Sequence, residues 1–231
     1  MENRPAQNAT HEEACARVAA LFRPRWLRHY VASKLRRDGI FQAAYELLGD
    51  SPEPILDVGC GVGLLPLYLR ARGLSQAVTG IDVDRSKIQH ARAAAAFAGY
   101  EALNFLEHDA TRALPEFRGN IALLDALHYL PPDAQKTLLT QLAARVAPGG
   151  MLLLRDCPHD GSARFWATYL AELFAQTISW NIGVPLHFPT RASIRAAFAA
   201  SAFSMEERPM YRGGPFNNRL FIYRAKAPGA E

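Results

Sequence analysis

The sequence predicts an α/β fold in which a mostly parallel sheet is covered by helices on both faces. The first observation is a series of five short apolar segments, each ending at or near an acidic residue: PILDVG, AVTGIDVD, LNFLEHD, NIALLD and GMLLLRD. The second is that helical patterns lie between most of them, such as LLPLYLRARG and RSKIQHARAAAAFAG. Continuous apolar strands that alternate with helices are typical of a doubly wound parallel sheet.

The composition fits one domain of this kind. A chain of 231 residues can bury one good core, and 49% hydrophobic with 21% charged residues is ordinary for a folded protein. The three cysteines are widely spread, and no apolar segment approaches the roughly 20 residues of a membrane helix. We therefore expect a cytoplasmic protein without disulfides, a signal peptide or a transmembrane segment.

The first fifty residues are predicted to be helical. HEEACARVAALF and RWLRHYVASKL have apolar residues at helical spacing, and Gly39 and Gly49 are typical helix ends. The chain carries a net charge of +4, and its basic segment from Arg23 has no acidic residue before Asp38. This segment is either a solvated helix face or a landing patch for an anionic partner. Nucleic acid is not expected, because no known nucleic-acid-binding motif accompanies the charge.

The segment DVGCGVG, residues 57–63, has glycines at alternate positions between the first predicted strand and a helix. In parallel sheets of this kind, ligands bind at the carboxyl ends of the strands. Glycines let the main chain approach a ligand, and the following helix offers unpaired N–H groups. Asp82 stands nineteen residues after Gly63 at the end of the second strand, where a carboxylate can accept ribose hydroxyls. The alternative interpretation is that the glycines only allow close packing of helix and strand.

The type of nucleotide follows from the spacing and from Asp57. Dinucleotide sites have the pattern G-x-G-x-x-G, whereas Gly59, Gly61 and Gly63 form G-x-G-x-G. A carboxylate at Asp57 would repel a pyrophosphate but suits a ligand that bears an ammonium group. These features favour a nucleoside joined to an amino acid over a nicotinamide cofactor.

Four segments together resemble the class I S-adenosylmethionine-dependent methyltransferases. ILDVGCGVG is similar to the first motif of the family, GIDVD to the second, HDA to the adenine-contacting turn and LAARVAPGGMLLLRD to the entry into the fifth strand. The resemblance implies a Rossmann-like sheet of seven strands with an antiparallel last strand, and S-adenosylmethionine as the cofactor. It also implies an N-terminal helical lid, residues 1–50, before a methyltransferase domain, residues 51–231.

The resemblance further implies roles for single residues. Asp57 and the glycines would surround the methionine part, Asp82 would bind the ribose and Asp109 the adenine amino group. The full set predicted to bind the cofactor is Asp57, Gly59, Cys60, Gly61, Gly63, Asp82, Val83, Asp109, Ala110, Asp125 and Lys34.

His128 is the candidate catalytic residue, because the segment DALHYLPP follows the fourth strand, on the family's active-site side. An ordinary imidazole pKa near 6.5 suits proton abstraction from a hydroxyl or a ring carbon. The alternative is that His128 only packs beside the cofactor. Tyr129 is interpreted as a wall of the substrate pocket or as a core residue.

The basic N-terminal helix is a candidate lid. Trp26, Tyr30 and Lys34 recur at four-residue intervals and therefore share one face of the helix. On one interpretation Lys34 binds the methionine carboxylate and Tyr30 covers the sulfur or the substrate. On the other, the aromatic rings are core contacts and Lys34 points to water.

The segment after the fifth strand is expected to set substrate choice. It contains an aromatic-rich helix, then a second helix with Thr190 as its cap, then a closing hairpin. Tyr30, Tyr129, Trp166 and Tyr169 are the predicted substrate residues, and the further aromatic candidates are Phe174, Trp180, His187 and Phe188. Cys157, His159 and Asp160 have no second group of ligands in the sequence, so we predict a metal-independent enzyme.

A weaker resemblance concerns the acceptor. YVASKLRRDGIF, LLDALHYLPPDAQ, LLLRDC and PFNNRLFIYR are similar to methyltransferases of bacterial aryl polyene and xanthomonadin-like pigment pathways. It implies a small aromatic or carrier-bound acceptor, and an acidic acyl carrier protein as partner of the basic helix. Two other functions stay open here: a nicotinamide-dependent oxidoreductase, and a binding protein that kept the fold without catalysis.

Overall fold

The computed structural model describes residues 9–178, 185–211 and 214–226, with only the backbone for 174–178. The helices in these ranges are α1 (His11–Ala20), α2 (Arg25–Arg37), α3 (Ile40–Leu48), α4 (Leu64–Ala71), α5 (Arg85–Ala98), α6 (Pro132–Ala143), α7 (Ala163–Ile178) and α8 (Arg191–Arg195). The strands are β1 (Ile55–Val58), β2 (Val78–Asp82), β3 (Leu103–Glu107), β4 (Asn120–Leu124), β5 (Met151–Asp156), β6 (Phe203–Pro209) and β7 (Arg219–Ala225).

The seven strands have the order β3-β2-β1-β4-β5-β7-β6. β1, β2 and β3 pair in parallel, as do β4 and β5, whereas β7 pairs antiparallel with both β5 and β6. This confirms the predicted mostly parallel seven-stranded sheet and its antiparallel last strand. The chain forms two compact units, one up to Asp109 and one from Ala110.

From residue 9 onward, where its description starts, the first unit contains three parallel strands and five helices. Every residue of β1 is buried, which explains why PILDVG reads as a continuous apolar segment. α5 begins at the cap Asp84, whose side chain accepts from the N–H groups of Ser86 and Lys87, and it ends at Gly99 in the left-handed conformation. These caps fix the segment that follows β2.

The N-terminal helices are part of the first unit. α1 begins with a capping box of Thr10 and Glu13, and His11 Nδ1 lies 2.7 Å from the hydroxyl oxygen of Tyr68 in α4. α2 buries Leu27, Val31 and Leu35, which recur every four residues. The lid role of residues 1–50 stays a prediction.

Trp26 and Tyr30 lie outside the buried stripe of α2. Trp26 is 57% and Tyr30 48% exposed, so the interpretation of these rings as core contacts is wrong. Lys34 forms an ion pair with Asp38 one turn later, with 2.8 Å between Nζ and Oδ2. A stripe of aromatic side chains therefore borders the basic residues of this helix.

The second unit places β7 between β5 and β6, and all six residues of β5 are buried. Thr190 caps α8 as predicted, but the helix ends at Arg195, well before the end of the predicted segment. The following turn lets Phe198 stack on Tyr223 of β7 with 3.7 Å between ring centroids. Within the described ranges, no helix is both long and apolar enough to cross a membrane.

Candidate functional site

The glycine segment forms a tight loop at the carboxyl end of β1. Gly59, Gly61 and Gly63 have φ angles of 72°, 56° and 78°, in the left-handed region that favours glycine. The N–H groups of Gly59 and Cys60 both donate to the carbonyl oxygen of Ile81, at 2.8 and 3.0 Å. These bonds tie the loop to the end of β2.

Two of the glycines are required for different reasons. A Cβ built on Gly61 has no neighbour within 4 Å among the described residues, so the space beside it is open to a ligand. A Cβ on Gly63 would lie 2.7 Å from the Phe105 ring and 3.0 Å from Ala91. The packing interpretation therefore applies to Gly63, and the ligand interpretation remains for Gly61.

Asp82 links the loop to the next helix. Its Oδ2 accepts from Gly61 N at 2.8 Å, and its Oδ1 accepts from Asp84 N at 2.9 Å. A carboxylate has about four lone-pair sites, so two sites remain for other donors. The side chain can thus hold the loop and accept hydroxyl groups of a ligand at the same time.

Asp57 is a buried carboxyl group beneath the same loop. Burial, with a smaller contribution from the neighbouring Asp82 carboxylate, raises the pKa of Asp57 to about 7. A positively charged ligand would supply the missing counter-charge. Burial also raises the pKa of the adjacent Cys60 thiol well above its ordinary value, so this side chain is a neutral wall of the loop.

The loop residues fit the nucleoside and amino-acid parts of S-adenosylmethionine. Asp57 offers a carboxyl group that a cation would help to ionise, Gly61 an open side, and Asp82 further acceptor sites. Val83 follows Asp82 and is 65% exposed, so it presents an apolar surface of the kind that a base can cover.

The other predicted cofactor residues lie in several places. Asp109 follows β3, where His108 N donates to Asp82 O at 2.9 Å. Ala110 is the first residue of the second unit, and Lys34 belongs to α2 with its partner Asp38. Their contacts with the cofactor stay predictions.

His128 lies in a short 3-10 helix, Leu127–Tyr129, after β4. Its Nδ1 lies 3.0 and 3.1 Å from the two carboxylate oxygens of Asp156, which ends β5. Asp156 Oδ2 also accepts from the His128 backbone N–H at 3.2 Å. The side chain is buried, and Nε2 has no hydrogen-bond partner among the described residues.

The charge of His128 differs from the one expected from its sequence. Burial lowers its pKa, but the Asp156 carboxylate, with contributions from Glu172 and Asp125, outweighs burial and raises the pKa to about 9. The ordinary value near 6.5 expected from the sequence is therefore wrong. The imidazole is held positively charged near neutral pH.

Aromatic side chains surround His128 in the second unit. The Phe188 ring stacks on the imidazole at 5.0 Å and 12°, and the Tyr129 ring lies 4.3 Å from it. Phe188 also contacts Phe165 and Tyr169, at 5.5 and 5.9 Å.

The outer part of this aromatic cluster is formed by α7. Trp166 lies 5.8 Å from Tyr169 and is 51% exposed, so the predicted substrate residues Tyr129, Trp166 and Tyr169 do belong to one cluster. His187 is joined to the same site through its backbone N–H, which donates to His128 O at 2.7 Å. Trp180 and the side chain of Phe174 lie outside the described residues.

Asp125, a predicted cofactor residue, is paired with a buried arginine. Arg155 Nε donates to its Oδ1 at 2.7 Å, and Arg155 Nη2 bonds its Oδ2. Asp125 has a φ of 55°, which is unusual for a residue with a side chain. The Arg155 guanidinium group therefore holds the Asp125 carboxylate through two hydrogen bonds. The predicted contact of Asp125 with the cofactor stays a prediction.

The segment around Cys157, His159 and Asp160 is built from loop contacts. Asp160 accepts from Ser162 N at the start of α7 and from Asn217 Nδ2. His159 packs on Phe165 with 4.2 Å between the rings. The described part of the chain holds no group of three or more His, Cys, Asp or Glu side chains that could share a metal ion.

Three important residues escaped the sequence reasoning. Asp156 orients His128, Arg155 holds Asp125, and Gly80 makes room for the loop, because a Cβ there would lie 2.8 Å from Cys60 Sγ. Asp156 could have been found from the sequence, because it is the acidic residue at the end of a predicted strand. Ligands bind at the carboxyl ends of the strands in a parallel sheet. A buried arginine inside an apolar strand gave no comparable signal.

The chain is similar in sequence to several known proteins. A sequence profile described as "Methyltransferase domain" matches residues 55–150. Demethylmenaquinone methyltransferase from Thermus thermophilus is 30% identical over 172 residues, 68% of this chain and 77% of that protein. Carboxy-S-adenosyl-L-methionine synthase from Dichelobacter nodosus is 29% identical over 171 residues, 71% of this chain and 70% of that protein.

A solved structure shows the same fold. Magnesium protoporphyrin IX methyltransferase from Synechocystis PCC 6803, with bound SAH, aligns with a TM-score of 0.62 over 95% of each chain, at 17% identity. At this identity the likeness concerns the fold alone.

Proposed function

Because the chain belongs to the class I S-adenosylmethionine-dependent methyltransferases, we propose that it methylates a small aromatic or carrier-bound acyl or aryl acceptor. S-adenosylmethionine is the cofactor of this family, and it supplies a methyl group on a positively charged sulfonium. Family membership also removes the nicotinamide-dependent oxidoreductase from consideration.

The first unit supplies the side chains that would hold the cofactor. Asp57 would neutralise its positive amino-acid part, and Asp82 would accept from ribose hydroxyls while its other bonds keep the glycine loop in place. The open side of Gly61 and the exposed Val83 would leave room for the ligand and give it an apolar surface.

The contacts of His128 are the observation that supports an aromatic acceptor. His128 is buried, is held by Asp156, and lies against the Phe188 and Tyr129 rings. Stacked and tilted rings of this kind bind planar ligands, and one polar group among them fixes a ligand's orientation. This supports an aromatic acceptor whose polar group meets His128.

We assign the binding of the acceptor's polar group to His128 and the positioning of the imidazole to Asp156. The carboxylate keeps the imidazole in one orientation, with Nδ1 carrying a proton and Nε2 facing the acceptor. Tyr129, which donates weakly to Glu172 Oε2 at 3.4 Å, and Tyr169 would form the walls of the acceptor pocket.

One sequence relative, demethylmenaquinone methyltransferase, is named for a ring-containing acceptor, which supports the aromatic class. A place in an aryl polyene or xanthomonadin-like pigment pathway stays a prediction, as does an acyl carrier protein as partner.

The experiment that tests this function is incubation of the purified protein with isotope-labelled S-adenosylmethionine and cell extract, followed by mass spectrometry. We expect an aromatic compound, free or carrier-bound, to acquire the label with wild-type protein. His128→Ala should bind the cofactor equally well in calorimetry but label the compound roughly 10²–10³-fold more slowly, because the donor to the acceptor's polar group is lost. Cofactor binding without any labelled product would instead support the non-catalytic binding protein.

A further inference from the structure

One buried polar atom in the second unit lacks a partner. His128 Nε2 has no hydrogen bond among the described residues, although the side chain is only 3% exposed. An unpaired buried polar group costs about 1–3 kcal/mol, so folded proteins rarely keep one without a purpose. The atom is therefore a candidate hydrogen-bonding partner for a bound ligand.

The surroundings of Nε2 define the shape of that ligand. Phe188 is nearly parallel to the imidazole, with an interplanar angle of 12°, and it continues into Phe165 and Tyr169. Flat side chains around the imidazole favour a planar ring as a further neighbour. A planar aromatic group fits this wall better than an aliphatic chain does.

The charges define the chemistry of the ligand atom. Three carboxylates act on the imidazole: Asp156 of β5, Glu172 of α7, and Asp125, which follows β4. Asp125 also forms an ion pair with Arg155. The three carboxylates raise the pKa of His128 to about 9 against the effect of burial, so Nε2 carries a proton at neutral pH. A protonated Nε2 is a donor with positive charge, and it is best matched by an anionic oxygen.

We propose that His128 Nε2 binds the ionised hydroxyl oxygen of an aromatic acceptor, so that the protein methylates a phenolic oxygen rather than a carbon or a nitrogen. This rests on the proposed function and narrows its substrate class. The phenol proton leaves to solvent before binding, and His128 keeps its own proton throughout. The new C–O bond takes its electron pair from the phenolate, while the electron pair of the broken C–S bond stays on sulfur.

The proposal predicts that the protein selects aromatic acceptors by the acidity of their hydroxyl group. A neutral aromatic carbon offers Nε2 no acceptor, and an aromatic amine offers only a weak and uncharged one. Phenols that ionise easily should bind best near neutral pH, because they enter the site already charged.

The test uses 4-nitrophenol, whose ionised form has its own visible absorption band. We expect wild-type protein to bind it as the phenolate below its solution pKa, lowering that pKa by about one unit, a tenfold shift. 4-Nitrotoluene, which has the same shape but no ionisable group, should bind at least about tenfold more weakly. His128→Gln should abolish the absorption change, whereas His29→Gln, on the exposed face of α2, should not.

A second variant covers the case in which His128→Gln fails to fold. Asp156→Asn keeps the imidazole but removes the carboxylate that charges it, so bound 4-nitrophenol should revert to its neutral form. Phe188→Leu should weaken 4-nitrophenol and 4-nitrotoluene by the same factor. A probe that stays neutral when bound to wild-type protein, or that ionises equally in His128→Gln, would overturn the proposal.

Calorimetry with S-adenosylmethionine separates this inference from the proposed function. Cofactor binding together with a neutral bound probe contradicts the phenolate site and leaves the methyltransferase function standing. An ionised bound probe without cofactor binding supports the phenolate site and contradicts the proposed function.

Discussion

Asp57 and Asp82 are neighbouring carboxyl groups with different environments. Asp82 accepts two backbone hydrogen bonds and serves as a fixed part of the loop. Asp57 is buried, and its pKa is raised to about 7 by burial and by Asp82. The group that gains most from a positively charged ligand is therefore Asp57.

We expect the affinity for S-adenosylmethionine to depend on pH through Asp57. Below pH 7 the free protein holds this carboxyl group protonated, and binding a cation requires loss of that proton. Affinity should rise with pH by up to about tenfold per unit below pH 7 and level off above it. Calorimetry across this range in two buffers of different ionisation enthalpy measures both the affinity and the released proton.

Asp57→Asn is the matched variant, because it keeps the shape and removes the charge. It should bind the cofactor more weakly at high pH, with the pH dependence lost. An unchanged pH profile in this variant would assign the dependence to another group.

The His128–Asp156 pair should also make stability depend on pH. The pKa of His128 is about 9 in the folded chain against 6.5 for an ordinary histidine, so the folded state binds more protons between these values. The stabilisation is complete below pH 6.5 and is lost as the pH rises through about 9. Urea unfolding at several pH values measures this loss.

Asp156→Asn should flatten the pH dependence and lower the free energy of unfolding below pH 6.5 by about 3 kcal/mol. Asp133→Asn, in the exposed first turn of α6, serves as the control and should leave the slope unchanged. An equal slope in wild type and Asp156→Asn would show that the pair does not set the titration.

At the scale of elements, the glycine loop combines strain with an open space. We expect Gly61→Ala to destabilise the fold by about 1–2 kcal/mol, because alanine is strained in the left-handed region. It should also weaken cofactor binding, since its methyl group enters the open space beside the loop. Gly99→Ala has the same kind of strain, at φ 63° and with nothing near the added atom, but it lies at the end of α5.

The comparison of these two variants isolates the ligand effect. Thermal unfolding should show similar losses for both, and calorimetry should show weaker binding for Gly61→Ala alone. Equal cofactor affinity in the two variants would mean that Gly61 is needed only for its backbone conformation.

The basic helix α2 is the second element with a testable role. Its buried stripe faces the first unit, and Arg25 and Arg36 lie exposed on the opposite side. If this face docks an acidic carrier protein, Arg25→Glu with Arg36→Glu should raise the KM for a carrier-bound acceptor and leave a small free acceptor unaffected. The difference should shrink at high salt, because the Debye length falls from about 10 Å at 0.1 M to about 3 Å at 1 M.

Lys136→Glu, an exposed reversal on α6, is the control for added negative charge. Equal effects on both acceptors would point to a damaged helix, and no effect on either would leave the face as solvated surface.

For the whole molecule, the described residues place the cofactor candidates mainly in the first unit and the His128 cluster in the second. A ligand that binds only the folded chain raises its stability by mass action, about 2.7 kcal/mol at a hundredfold excess over Kd. We expect S-adenosylmethionine to raise the midpoint of thermal unfolding and NADH to leave it unchanged. A larger shift with NADH would contradict the cofactor assignment.

The sequence by itself determined the order of strands and helices, the closing hairpin, the cap at the start of α8 and the family. These depend on local patterns: apolar runs for buried strands, helical spacing between them, and cap residues such as Thr190. The motif DVGCGVG was equally readable, because left-handed backbone and close approach both require glycine in a short segment.

Only the tertiary structure decided what each side chain does. Gly61 faces open space while Gly63 faces the Phe105 ring, although both read as glycines of one motif. His128 meets Asp156 from a strand 28 positions away, and that partner changes the expected charge of its ring. Hydrogen bonds and electrostatic shifts depend on distances between elements distant in sequence, and these distances exist only once the chain has folded.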